Sequence, residues 1–415
     1  MHLIEDEKSI LDGSQGEAAQ IAMKILVDLG EIFGADEMMS ITQVHIDTTI
    51  YMVDAGVEFA ERMAEMGGRF SVPTQLNPSA IDLKRWKELR VDSELLEKSR
   101  RIERAYLKMG AMPTWTCAPY QQGLIPKFGE QIAWGESNAI AFANSVIGAR
   151  TNRYADLMDI CAGIIGKVPR FGLHLSENRK AEILITLDGF TDEMFADRAI
   201  YPLLGFVFGE IAADRIAALE GVPSDVSIDS LKAFSAAAAS SGAVGLFHII
   251  GVTPEAQTLK MCSQEEPLER FEITPAMLRN AEERLSDNAI DGPDLIVLGC
   301  PHFSVEEFVL LDQLLKGRKI HDSITCWVTT SRAVYAMIEA NGILKELQLS
   351  GIDVFTDGCP LQYPLGNWAF RSAMSDSGKF VNYCYSQTGL KVAYGSLDEC
   401  VETAVAGKFC RERAL

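Results

Sequence analysis

The chain has 415 residues and is 47% hydrophobic, enough to bury a substantial core over two or three structural units. Its 58 acidic side chains outnumber 38 basic ones for a formal charge of -20, a surface that repels nucleic-acid phosphates and anionic lipid, so neither nucleic acid nor membrane is expected as a partner. The charged start Met1-His-Leu-Ile-Glu-Asp-Glu-Lys8 is not a signal-peptide pattern, so a cytoplasmic location is expected, where nine irregularly spaced cysteines stay reduced and available to metal.

Apolar residues at helical spacing from Ala18 to Leu29 predict an opening helix over 15–33, stopped by Gly34. Segments 39–53 and 67–72 are expected as strands on either side of a helix over 57–65. A helix over 91–108 then leads into a loop, Met112-Pro-Thr-Trp-Thr-Cys-Ala-Pro-Tyr120. The small apolar run 132–147 suits a helix packed closely on other backbone, 181–187 a strand, and 204–218 and 230–238 two more helices. In the last third, β-rich runs at 294–298, 324–329, 352–356 and 390–394 are interleaved with helical stretches at 305–315, 332–341 and 397–406. That alternation predicts a parallel sheet covered on its faces, with ligands bound beyond the carboxyl ends of its strands. We expect three units: an N-terminal α/β unit with the first cysteine loop (1–178), a middle α/β unit (179–288) and a C-terminal parallel α/β unit with two cysteine loops (289–415).

Three cysteines differ from the other six. Cys300, in Gly299-Cys-Pro-His302, and Cys359, in Gly358-Cys-Pro360, each follow a β-rich run and so belong at the ligand edge of that sheet. The proline after each disfavours helix at the cysteine, and the glycine before it permits close approach. Cys117 lies in a loop before Ala118-Pro119, a comparable setting. Three thiolates can hold an iron-sulfur cluster or an iron ion and leave one position for substrate. Core packing competes with that reading, because cysteine is among the most buried residue types. Packing is the assignment for Cys161, Cys400 and Cys410, and Cys262, Cys326 and Cys384 have no loop signature.

The stretches Trp115-Thr-Cys-Ala-Pro-Tyr120, Phe128-Gly-Glu-Gln-Ile-Ala-Trp-Gly-Glu-Ser-Asn138 and Phe142-Ala-Asn-Ser-Val-Ile-Gly-Ala-Arg-Thr-Asn-Arg153 resemble the aconitase X family closely. Further matches are Val44-His-Ile-Asp47, Leu76-Asn77, Gly172-Leu-His174, Leu298-Gly-Cys-Pro-His302, Thr356-Asp-Gly-Cys-Pro360 and Lys379-Phe-Val-Asn-Tyr383, which span almost the whole chain. The resemblance implies an aconitase-like multi-domain α/β fold with largely parallel sheets. It implies iron at Cys117, Cys300 and Cys359, as a 2Fe-2S cluster in preference to 4Fe-4S or mononuclear iron, and removal of water from a small hydroxy acid. Aconitase-type enzymes complete their site with a swivel domain that carries the base. We expect this chain to lack it and to work as a large subunit with a separate small swivel subunit, so no base is assigned here.

Other residues are candidates by chemistry. Arg150 and Arg153, with Asn152, place two guanidinium groups and an amide where a carboxylate can be held, although arginines also decorate ordinary surfaces. His302 is expected to donate to the substrate hydroxyl or to shape the cluster's surroundings, and His45 to be oriented for proton transfer by Asp47 on the same face of its strand. Ser137 and Asn138, next to Glu136, and Asn77 at a strand exit are candidate substrate contacts that a structural hydrogen-bonding role explains equally well. Lys379 is a candidate acid. Dehydration of cis-3-hydroxy-L-proline is the leading function, because Tyr154-Ala-Asp-Leu-Met-Asp-Ile-Cys161 looks like the bacterial hydroxyproline members. The alternatives are dehydration of mevalonate 5-phosphate, an iron-sulfur protein that carries electrons or senses iron, and a metal-free binding subunit.

Overall fold

In the computed structural model, residues 1–154, 156–263, 268–287, 290 and 292–411 are described, so the boundary expected at 288/289 and Ala155 of the hydroxyproline-like run lie outside the described residues. The opening helix runs Glu17–Ile32, preceded by a short helix, Glu5–Leu11, that the sequence pattern did not announce. A parallel three-stranded sheet follows, in the order Thr74–Leu76, Val44–Ile46, Ala133–Trp134, every residue of it buried. The strand expected at 67–72 lies instead at Thr74–Leu76, and Ala133–Trp134, near the start of the expected 132–147 helix, is strand. The rest of that run is an α-helix, Ser137–Phe142, continued by a π turn, Ala143–Ile147.

The middle region holds a parallel four-stranded sheet in the order Phe247–Ile249, Ala217–Glu220, Ile183–Leu187, Glu269–Ile273. The helix expected over 204–218 is Ile200–Ala212, and Ala217–Glu220 is instead a strand of this sheet. That helix packs on Ile228–Ser241 with backbones nearly touching: a Cβ on Gly205 would overlap the Phe234 carbonyl, and one on Gly209 would meet the Ala238 carbonyl at 2.5 Å. The last third is a parallel five-stranded sheet in the order Ile352–Phe355, Thr325–Thr330, Leu295–Phe303, Ser372–Ser375, Lys391–Tyr394. Its helices Val305–Leu315 and Leu397–Ala406 begin with capping boxes, Ser304 with Glu307 and Ser396 with Glu399. The central strand runs through Cys300 rather than stopping before it, with a register shift between Leu298 and Phe303 that lifts Gly299 to His302 out of regular pairing. The fold is thus mixed α/β with mainly parallel sheets, as expected. Among the described residues no helix is long and apolar enough to cross a membrane.

The close contact at Gly205 gives a direct test of this packing. Gly205→Ala should destabilise the protein by about 1 to 3 kcal/mol through overpacking, in spite of the better helix propensity of alanine. Urea unfolding at or above wild-type stability would contradict the contact.

Candidate active site

Each strand of the N-terminal parallel sheet is followed at its carboxyl end by a polar residue: Asp47 after Val44–Ile46, Asn77 after Thr74–Leu76, and Glu136 two residues beyond Ala133–Trp134. The carboxyl edge of the five-stranded sheet contributes Cys300 in the central strand, Cys359 after Ile352–Phe355, and Lys379 after Ser372–Ser375. The two edges are joined. Ser79 pairs in parallel with Gly358, its N–H donating to the Asp357 carbonyl at 2.6 Å and its carbonyl accepting from Cys359 N–H at 3.0 Å. Lys379 crosses from one edge to the other and ion-pairs with Glu136.

His302 ties the three cysteine loops together. Its Nε2 sits 3.2 Å from the Gly358 carbonyl, which can only accept, so that nitrogen carries the proton and Nδ1 accepts from Thr116 Oγ1 at 3.0 Å. Its backbone N–H donates to Cys117 Sγ at 3.3 Å. His45 supports the same loop, with Nε2 donating to the Thr116 carbonyl at 2.8 Å. Burial pushes both imidazoles down to about 4, so both are neutral at physiological pH, as this hydrogen bonding requires. Each cysteine also has a left-handed residue just before it: Trp115 at φ 46°, Gly299 at φ 88° and Asp357 at φ 65°. For the two non-glycine residues this costs about 1 to 3 kcal/mol each, held at Asp357 by a bidentate Arg332 at 2.6 and 2.8 Å.

Burial raises the three thiols, Cys117 to about 12, Cys359 to about 11 and Cys300 well above its usual range. They lie close enough to act on one another: Cys359 raises Cys117, and both raise Cys300, while Lys379 lowers all three. Glu136 is the anion that faces them. Its carboxylate accepts from Lys379, from Asn77 Nδ2 at 3.0 Å, from Asn138 Nδ2 at 2.9 Å and from Ser137 Oγ at 3.1 Å, and these partners hold it below the usual carboxylate range against the opposing effect of burial. Among the described residues no three Cys, His, Asp or Glu side chains form a ready-made group for a metal ion. The donor chemistry nevertheless fits an iron group. Three thiols from separate loops, Cys300 buried and Cys117 and Cys359 half-buried, need a positive partner to ionise, and the nearby lysine is already shared with Glu136.

The candidates named from sequence divide into two sets. Cys117, Cys300, Cys359, His302, His45, Lys379, Asn77, Ser137 and Asn138 belong to this connected network. Both ring nitrogens of His302 are engaged by protein, an arrangement that suits the second of its two expected roles, shaping the surroundings of the thiols. His45 is oriented by the Thr116 carbonyl rather than by Asp47, and its buried Nδ1 has no partner. Arg150, Asn152 and Arg153 are elsewhere. Arg150 donates to the His174 carbonyl at 3.3 Å and Arg153 to the Ala243 carbonyl at 2.6 Å, while Asn152 braces Phe171 and Leu173 beside a separate cavity lined by Phe33 and Tyr154. Arg150 also forms an isolated parallel bridge with Gln131. Sequence reasoning did not single out Glu136 as a hub and missed Thr116 altogether, because their partners are 243 and 186 residues away.

Comparison with known proteins follows this geometry. Models of the aconitase X first, second and third domains match residues 1–177, 181–283 and 293–406. A cis-3-hydroxy-L-proline dehydratase of Pseudomonas aeruginosa is 41% identical over 97% of this chain and 70% of its own length. A phosphomevalonate dehydratase large subunit of Methanocaldococcus jannaschii is 35% identical over 97% of this chain and 100% of its own. A crystal structure of Thermococcus kodakaraensis aconitase X in its holo-form superposes with a TM-score of 0.88 at 33% identity, covering 97% of this chain and 100% of that one.

The tie made by His302 is testable without turnover. His302→Phe keeps the ring volume but strands Thr116 Oγ1 and the Gly358 carbonyl in the interior, which should cost roughly 2 to 5 kcal/mol. Denaturant unfolding within about 0.5 kcal/mol of wild type, the range of neutral surface changes, would show that the loops do not depend on it.

Proposed function

Because the chain belongs to the aconitase X family, we propose that it is a hydro-lyase that removes water from cis-3-hydroxy-L-proline, giving pyrroline-2-carboxylate after tautomerisation. The observation that carries this reading is the 41% identity to a dehydratase of that name over 97% of the chain. The meeting of two sheet edges at three thiols, a lysine and a buried carboxylate supports it. An iron-sulfur cluster held by Cys117, Cys300 and Cys359, of the 2Fe-2S type, supplies Lewis acidity toward the departing hydroxyl when bound. The chain's own residues prepare the place for it. Lys379, kept protonated against its burial by Glu136 and the thiols, favours the thiolate forms. His302 holds the three loops in register, and His45 offers the lone pair of Nδ1 as an acceptor. Asn77, Ser137 and Asn138 fix the Glu136 carboxylate, leaving it as a hydrogen-bond acceptor beside the reacting acid.

The base is proposed to come from a small swivel subunit in the cytoplasm, with this chain as the large subunit built of units 1–178, 179–288 and 289–415. Support comes from the 35% identity to an archaeal dehydratase named as a large subunit. An electron carrier would need a fourth ligand, and Cys326 and Cys400 are instead packed in the apolar core of the five-stranded sheet.

Two outcomes follow. In anaerobically purified protein, Cys359→Ser should lose iron and turnover together, while Cys400→Ser keeps both; iron retained at wild-type level in the Cys359 variant would defeat the ligand assignment. Mixed with the small subunit, the chain should consume cis-3-hydroxy-L-proline at about 10² to 10⁴ times its rate alone, the usual worth of a positioned base. Equal rates would remove the subunit argument, and dehydration of mevalonate 5-phosphate instead would leave the family and overturn the substrate.

A further inference from the structure

Asp47 stands immediately past the strand Val44–Ile46, half-buried, with one carboxylate oxygen accepting from Asn77 Nδ2. The same Nδ2 donates to Glu136 Oε2 at 3.0 Å. Two carboxylates on one amide nitrogen fix the orientation of the amide, because the reverse would set its oxygen against two acceptors. Asn77 is 0% exposed, yet its Oδ1 has no hydrogen-bond partner among the described residues. An interior amide oxygen left in this way calls for a donor. The groups acting on Asp47 are three carboxylates, Glu136, Asp159 and Asp156, and one cation, Lys379, whose ammonium is paired with Glu136. Asp47 also accepts nothing from its own backbone N–H, which donates to Asp159 Oδ2 at 2.6 Å. Among the described residues the cation that acts on this corner, Lys379, is paired with Glu136, so a further positive group with N–H donors would meet acceptors here.

We propose that Asp47 and the Asn77 amide oxygen form the subsite for the secondary ammonium of the substrate ring, selecting a cyclic imino acid over hydroxy acids that have no nitrogen. This rests on the reading that the enzyme acts on cis-3-hydroxy-L-proline. A pyrrolidinium nitrogen has two N–H donors at a tetrahedral angle, one for the Asp47 carboxylate and one for Asn77 Oδ1. A phosphorylated hydroxy acid brings neither donor, and its charge has the same sign as the three neighbouring carboxylates. Burial and those carboxylates raise the Asp47 carboxyl well above its usual range, and an ammonium seated beside it acts in the opposite direction as a counter-charge.

The test compares two unreactive ligands that differ only at the ring position in question, L-proline and cyclopentanecarboxylate, by calorimetric titration of the assembled two-subunit enzyme. The wild type should bind L-proline the more tightly. Asp47→Asn should weaken L-proline about 10- to 100-fold, the worth of a charge-assisted hydrogen bond, and leave cyclopentanecarboxylate within about threefold. Asp47→Glu should retain most of the preference. Because the comparison is a ratio of dissociation constants, partial loss of folded protein does not alter it. No preference for L-proline in the wild type, or a preference unchanged in Asp47→Asn, overturns the subsite. Turnover is measured separately with cis-3-hydroxy-L-proline: its absence in the wild type brings down the functional reading, whereas turnover with an unchanged ligand preference brings down this inference alone.

Discussion

The imidazole of His302 accepts from the Thr116 hydroxyl and donates to the Gly358 carbonyl, while its own backbone N–H points at Cys117 Sγ. Cys300 lies two residues before it in the same strand. One neutral side chain therefore ties together a loop 186 residues before it and another 56 residues after it, and places three thiols in one neighbourhood. The arrangement needs such a brace, because the thiols disfavour one another's ionisation and the backbone at Trp115 and Asp357 is in a costly left-handed conformation. Protonation of the ring would remove the acceptor that Thr116 uses. The burial that depresses its pKa is thus part of the same device as the hydrogen bonds.

Parallel sheets explain why these residues meet at all. In a parallel sheet all strands deliver their carboxyl ends to one edge, and here two sheets turn those edges toward each other. One edge brings Asp47, Asn77 and Glu136, the other Cys300, Cys359 and Lys379. The Lys379–Glu136 pair bridges them, and it is a costly bridge to break: removing one partner of a buried pair leaves a charge worth about 3 to 5 kcal/mol of destabilisation. The pair therefore fixes how the two edges face each other and sets the local charge that the thiols feel. Its position explains why the acidic corner at Asp47 is left without a cation of its own.

Much of this was legible in the sequence where local chemistry is strong. The alternating strands and helices of the last third, both capping boxes and the Gly-Cys-Pro turns announce a ligand edge because turns, caps and β-branched runs act within a few residues. The strand Ser372–Ser375, Ser-Ala-Met-Ser, was not legible, since it has no β-branched residue and is held only by neighbours on both sides. Ala133–Trp134 was hidden inside a small apolar run that a helix explains as well. Arg150 and Arg153 donate to the backbone carbonyls of His174 and Ala243, partners 24 and 90 residues away that no local pattern announces. Glu136 was not legible as a hub for a related reason: alone it is an N-cap, and only Lys379 on a distant helix makes it a hub.

The central claim is that three loops braced by His302 form one iron site with three protein thiolates. An anaerobic crystal structure of the iron-loaded enzyme, with iron located by its anomalous scattering, tests this most directly. The account predicts iron bounded by the sulfurs of Cys117, Cys300 and Cys359 at about 2.3 Å, the length typical of metal–thiolate bonds, with one iron position open to substrate and the His302 ring still bound to Thr116 and Gly358. Iron carrying a fourth protein thiolate, or any of the three sulfurs outside its coordination, would contradict it.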